Sequence, residues 1–231
     1  MNPFERNTAR YSLPEFVYSS IDEFQDKEIK DGVHSIRYGN GHLDVLTEDR
    51  GADATLIFFH GAVPWRRTTV PVFSGRSVTD GLDANLILVS DPSLELTLNL
   101  AWFVGDQERH LQQDLPRVLK HVMGSFINHK YVITYGGSGG GFASLFYSTL
   151  LENAIAIAAN PQTIIANYHQ QTVSRFIDAA WPGNNIADIN AVTDVSDLYK
   201  KPVDNAVIYL SLIHISEPTR REWLSRMPSS A

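Results

Sequence analysis

Short apolar runs recur along the chain, each closed by glycine, proline or polar residues. They fall at 54–59 (ATLIFF), 85–89 (NLILV), 131–135 (YVITY), 154–159 (AIAIAA) and 206–210 (AVIYL). Runs this short and this rich in β-branched and aromatic residues predict strands buried within a parallel sheet. Residues 35–39 and 42–47 flank Asn40-Gly41, a hairpin signal that predicts two antiparallel strands before the first of those runs. Between the runs the period lengthens. Leu111, Leu115, Val118, Leu119 and Val122 share one face of a helix predicted over 106–122, with Pro116 expected to kink it or to start a second helix. Phe142, Phe146 and Leu150, with Leu145 beside them, mark another helical face.

Strands alternating with helices predict an α/β fold, a mostly parallel sheet with helices on both faces that starts from an antiparallel hairpin. Residues 1–34 are polar and mixed and read as an N-terminal arm or small extra element, ahead of a core over 35–210. Within that core, 160–202 is polar and aromatic, with a Trp181-Pro182-Gly183 turn and an Asp-rich run. A segment of that length between two strands reads as a cap-like insertion over a site.

The strand at 131–135 runs into Gly136-Gly137-Ser138-Gly139-Gly140-Gly141 and then directly into the helical face. A strand that reverses into a helix so abruptly strains the residue at the bend and crowds its neighbours, which glycine relieves. Gly136 and Gly140 stand two residues either side of Ser138, giving G-x-S-x-G between strand and helix, the context of a nucleophile elbow. A flexible linker would not be flanked by apolar elements. A phosphate-gripping loop would need Lys and Ser or Thr where Phe142 and Ala143 stand. Dinucleotide fingerprints starting at Gly137 or Gly139 fail at Phe142 and Ser144.

Composition narrows the partners. At 231 residues the chain fits one domain, and 43% apolar with 19% charged residues is ordinary for a globule. The net charge of −7, with no basic cluster in the first 200 residues, argues against nucleic acid. With no cysteine there are no disulfides and no thiolate chemistry. Neither a signal peptide nor a membrane span is legible, so we expect a cytoplasmic protein. No spacing of His and Glu or of Asp matches a metal motif, and no cofactor is expected.

The run ending in His60-Gly61-Ala62, followed in order by the elbow at 136–140, resembles the α/β-hydrolase superfamily over roughly residues 42–210. The resemblance implies that Ser138 is a nucleophile. It also implies that the N–H of Gly139, with that of Ala62 or alternatively Gly61, forms an oxyanion hole. The expected activity is that of a serine hydrolase or acyltransferase acting on a small-molecule or glycan-linked ester. The stretch GGSGGGFASLFYS is similar to α/β-hydrolase-like proteins tied to surface glycan or glycoprotein acylation. A non-catalytic binding or scaffold protein of the same fold is the alternative.

The resemblance further implies an acid and a histidine after the strand at 206–210, but the residues there read SLIHISEPTRREWLSRMPSSA. Residues 211–220 resemble the translation of a sequencing-adapter read-through. We therefore expect 211–231 to be non-native or disordered, with the last helix, strand, acid and histidine missing, and the 231-residue chain to be weakly active or inactive because Ser138 lacks a base. His214 and Glu217 could stand in only by an accident of geometry.

Elsewhere, His60 is expected to orient the loop that follows it, and His34 and His42 to be exposed in the hairpin. His110, His121 and His129 read as solvated or structural. His169 and Trp65 are candidate substrate contacts, and Trp102 either walls a pocket or packs in the core. Asp91 lies at a strand's C-terminal end, where such sheets form sites, although Asp91-Pro92 also reads as a simple turn.

Overall fold

The computed structural model describes residues 4–65, 68–200, 203 and 205–211. In chain order the elements are β1 (Glu5–Arg6), β2 (Glu15–Tyr18), α1 (Ile21–Gln25), β3 (Gly32–Tyr38), β4 (Gly41–Glu48), β5 (Ala54–Phe59), β6 (Thr69–Val70), β7 (Asn85–Ser90), α2 (Leu111–Ser125), β8 (Tyr131–Gly137), α3 (Gly139–Ser148), β9 (Ala154–Ala159), α4 (Gln170–Ala180) and β10 (Ala206–Leu210). One sheet has the order β10-β9-β8-β5-β7-β4-β3-β2. Only β4 runs antiparallel to its neighbours there, first to β3 across the hairpin and then to β7. The remaining pairings in that sheet are parallel. The predicted hairpin forms, but its two-residue turn is Gly39-Asn40, one residue earlier than expected: Gly41 already pairs with Tyr38, and Gly39 supplies the φ of 58° that the turn needs.

Residues from all four helices pack into one core cluster with Ile36, Leu43, Ile57, Phe59, Ile87, Val89, Ala156 and Ala158 of the sheet. The opposite face of the hairpin end, in Val33, Leu46 and Leu88, is covered by Phe73 with Tyr11 and Leu13. β7 is buried at all six positions, whereas β5, β8 and β9 are buried at alternate residues. The centre of the sheet is therefore the fixed platform, and β5, β7 and β8 end side by side on it.

Three expectations are corrected. The segment before the hairpin is more than an arm, because Glu15–Tyr18 pairs in parallel with β3 and extends the sheet. Helix α1 then carries Ile21 and Phe24 into the core, capped by Ser20 Oγ accepting the Glu23 N–H at 3.0 Å. That extra layer covers His34, which is buried rather than exposed. Its Nδ1 meets the Tyr18 hydroxyl at 2.9 Å, and its ring stacks on Phe16. Finally, the helix expected from 106 starts at Leu111 and runs through Pro116 without a break. Asp106 instead closes the preceding turn, accepting the N–H groups of Glu108 and Arg109 at 3.0 and 2.9 Å. The bond that Pro116 cannot donate would go to the carbonyl of Gln112, one turn back, and the buried face of Leu115, Val118, Leu119 and Val122 keeps the helix whole.

The segment between β9 and β10 contains α4, whose Val173 and Phe176 are buried. His214, Glu217 and the rest of 212–231 lie outside the described residues.

Candidate active site

The site is built at the C-terminal ends of β5, β7 and β8. β8 ends at Gly137 and α3 begins at Gly139, so Ser138 alone makes the reversal. Its backbone sits at φ 56°, ψ −117°, a conformation that side-chain-bearing residues rarely adopt and that costs of order 1–3 kcal/mol. Four hydrogen bonds hold it there. The Ser138 N–H donates to the Ala159 carbonyl at 2.9 Å, and its own carbonyl accepts from Gly141, Phe142 and Gln162 at 3.1, 3.3 and 3.2 Å.

The glycines around the bend serve close approach, not positive φ. A Cβ on Gly136 would lie 2.0 Å from the Gly140 carbonyl oxygen, and one on Gly140 would lie 2.3 Å from that of Phe59. A Cβ on Gly139 would strike Leu100 Cδ1 at 2.3 Å. Across the bend, Gly61 backs onto Ser138, where an added Cβ would come 3.7 Å from the serine Cβ and 3.0 Å from the Gly137 carbonyl oxygen. The loop after β5 and the start of α3 thus face each other across the Ser138 side chain. Gly139 is the first residue of α3, where N–H groups have no intrahelical acceptor. Ala62 is exposed at the site's edge.

Behind this loop, His60 and Asp91 are buried together. The Asp91 N–H donates to His60 Nε2 at 3.1 Å, which leaves Nδ1 to carry the imidazole proton and donate to the Gly61 carbonyl at 2.7 Å. The tautomer is fixed by that pairing, and burial pushes the His60 pKa down, so the ring stays neutral. His60 therefore anchors the loop, in keeping with the expectation for it. Asp91 is not merely a turn residue. Its carboxylate accepts the N–H groups of Ser93 and Phe103 at 3.0 and 2.7 Å, while burial pushes its pKa up. The second bond pins Trp102 and Phe103, consecutive residues with φ of 56° and 58°.

Trp102 is buried, edge-on to Tyr168 and Phe176. Its Nε1–H donates to Gln162 Oε1 at 2.5 Å, and Gln162 Nε2 donates to Ser138 Oγ at 2.7 Å. Sequence reading did not single out Gln162 for this position. Among the described residues it is the only hydrogen-bond partner of the Ser138 hydroxyl. Of the candidate substrate contacts, Trp65 packs against Phe4 and lies under the Arg175 guanidinium, and His169 is exposed at the start of α4 with its ring against Tyr168. Neither is hydrogen-bonded to Ser138. Among the described residues no group of three or more acidic or histidine side chains could hold a metal ion, and no helix is long and apolar enough to cross a membrane.

No family model and no curated protein matches the chain. Solved structures do. The fluorophosphonate-binding serine hydrolase FphF of Staphylococcus aureus is 11% identical at a TM-score of 0.50, over 82% of this chain and 82% of that one. The S-formylglutathione hydrolase FrmB of the same species is 13% identical at 0.50, over 86% and 88%. The Glycosylation Associate Protein complex of Streptococcus agalactiae gives 11% and 0.53 over 84% of this chain, which spans 40% of that chain. With its eight-stranded, mostly parallel sheet and its abrupt strand-to-helix turn, the chain has the α/β-hydrolase fold.

Proposed function

We propose that the protein is a serine hydrolase or acyltransferase that takes an acyl group from a small-molecule or glycan-linked ester onto Ser138. The observation that carries this reading is the Ser138 backbone itself, a non-glycine residue at φ 56° between β8 and α3. Strain of this kind persists where the surroundings enforce it, and it lifts one side chain clear of the sheet.

In this reading Ser138 Oγ adds to the ester carbonyl carbon, and its proton passes to a general base. The carbonyl oxygen becomes an oxyanion between the N–H of Gly139 and that of Ala62 or Gly61, donors worth several kcal/mol at such a site. The intermediate collapses with cleavage of the carbon–alkoxy bond, and the alcohol leaves with the proton. Water then releases the acyl group as an acid, or an acceptor alcohol carries it away as a new ester. The base is not among the described residues around Oγ. The elbow's likeness to proteins of surface glycan acylation supports a glycan-linked substrate, and the absence of cysteine fits a cytoplasmic setting.

A non-catalytic protein of the same fold is the second reading, favoured by the Gln162 contact, because an amide donor can hold a hydroxyl without activating it. Exposure to p-nitrophenyl acetate separates the two. The enzyme reading predicts one acetyl group on Ser138, absent in Ser138→Ala, which water or an added alcohol then removes. A folded protein that acquires no acetyl group at Ser138 even when imidazole is supplied as an external base supports the scaffold.

A further inference from the structure

Trp102 has a donor and no acceptor on its side chain, so it determines which end of the Gln162 amide faces it. The indole N–H must meet Oε1, as it does at 2.5 Å, and the Gln162 NH₂ group is thereby turned to Ser138 Oγ at 2.7 Å. Flipping the amide would set two donors against each other at Trp102. Oγ is therefore an acceptor in this contact, and its own hydrogen must point elsewhere. The backbone N–H of Gln162 also donates to the Ser138 carbonyl at 3.2 Å, so the residue is tied to the serine through backbone and side chain alike.

We propose that Gln162 is a catalytic residue that sets the direction of the nucleophile's proton. By occupying one lone pair of Oγ, the amide turns the hydroxyl hydrogen away from itself and leaves it for the base. The same N–H stabilises the negative charge that grows on Oγ as the proton leaves. Trp102 is the positioning residue that keeps the amide in this sense. Its left-handed backbone is held in turn by the Phe103 N–H bond to Asp91.

This inference rests on Ser138 being the nucleophile, so the test has two arms. In ¹⁵N-labelled protein the Gln162 side-chain amide resonances should shift in Ser138→Ala, and the Trp102 indole N–H should move upfield in Gln162→Ala. Absence of both shifts overturns the inference whatever the reactivity. In the second arm, the second-order rate of phosphonylation by a fluorophosphonate is measured for the whole chain. Gln162→Ala should slow it about tenfold, the order expected for one lost hydrogen bond to a charged group. Trp102→Phe should slow it less, since the amide remains but is free to flip. Gln162→Glu supplies the readout that a packing role would not move. When ionised, its carboxylate accepts the hydroxyl proton and should label more slowly than Gln162→Ala. Their rate ratio should rise as pH falls and the carboxyl becomes a donor again. Equal rates in wild type and Gln162→Ala, or a pH-independent ratio, overturn the proposal. An unlabelled wild type removes the nucleophile reading instead, and the resonance arm still decides the orientation of the amide.

Discussion

Gly136 and Gly140 approach so closely that a methyl group on Gly136 would lie 2.0 Å from the Gly140 carbonyl oxygen. Backbone cannot yield as a flexible side chain can. Gly136→Ala should therefore destabilise the fold by about 3 kcal/mol, the upper end for overpacking. Gly124 near the end of α2 has nothing within 4 Å of its would-be Cβ, so Gly124→Ala should stabilise by about 0.5 kcal/mol. Urea titration of the two variants checks both signs.

Ser138 is strained where a glycine would not be. Ser138→Gly relieves a left-handed backbone, while Ser138→Ala removes the hydroxyl and keeps the strain. We expect Ser138→Gly to be more stable than Ser138→Ala by about 1 kcal/mol, read from urea midpoints at constant slope. A less stable glycine variant would mean that the bend is not held under strain.

Asp91 ties the end of β7 to the Trp102–Phe103 loop through the Phe103 N–H and caps its own turn through the Ser93 N–H. Asp91→Asn must turn an amide donor toward one of them. The loss should be about 2 kcal/mol, typical of a hydrogen bond to a charged acceptor. Chemical denaturation measures it.

Stability should fall as the solution is acidified below pH 6.5. Burial lowers the pKa of His34 from its ordinary 6.5, and that of His60 likewise. The unfolded chain then binds the proton more readily than the folded one, so the stability present above pH 6.5 is lost as pH drops. Asp91, raised by burial, contributes in the opposite sense above pH 3.8, so the assignment is made at His34. The urea midpoint should be lower at pH 5.5 than at pH 7.5, and His34→Gln should flatten the difference.

What the sequence disclosed followed from local pattern. The apolar runs, the hairpin signal and the glycines around Ser138 each act on their immediate neighbours, and the structure places each where those rules require, the hairpin turn shifting by one residue to Gly39-Asn40 because only Gly39 takes the positive φ. What it concealed was set by distance along the chain. Gln162 lies 24 residues beyond Ser138 in a segment read only as a cap, and it reaches the serine because β9 pairs with β8. His34 reads as a polar hairpin residue, yet the strand at 15–18 adds beside it and buries it. Pro116 reads as a break, but the packed face of α2 outweighs one missing hydrogen bond.

The central claim is that the Ser138 hydroxyl is a presented nucleophile. Reaction of the intact chain with a fluorophosphonate, followed by peptide mass mapping, tests it most directly. The account predicts a single phosphonyl group on the peptide carrying Ser138, and none on the folded Ser138→Ala variant. A wild type left unmodified even when imidazole is supplied as the base, or modification that persists in Ser138→Ala, would contradict it.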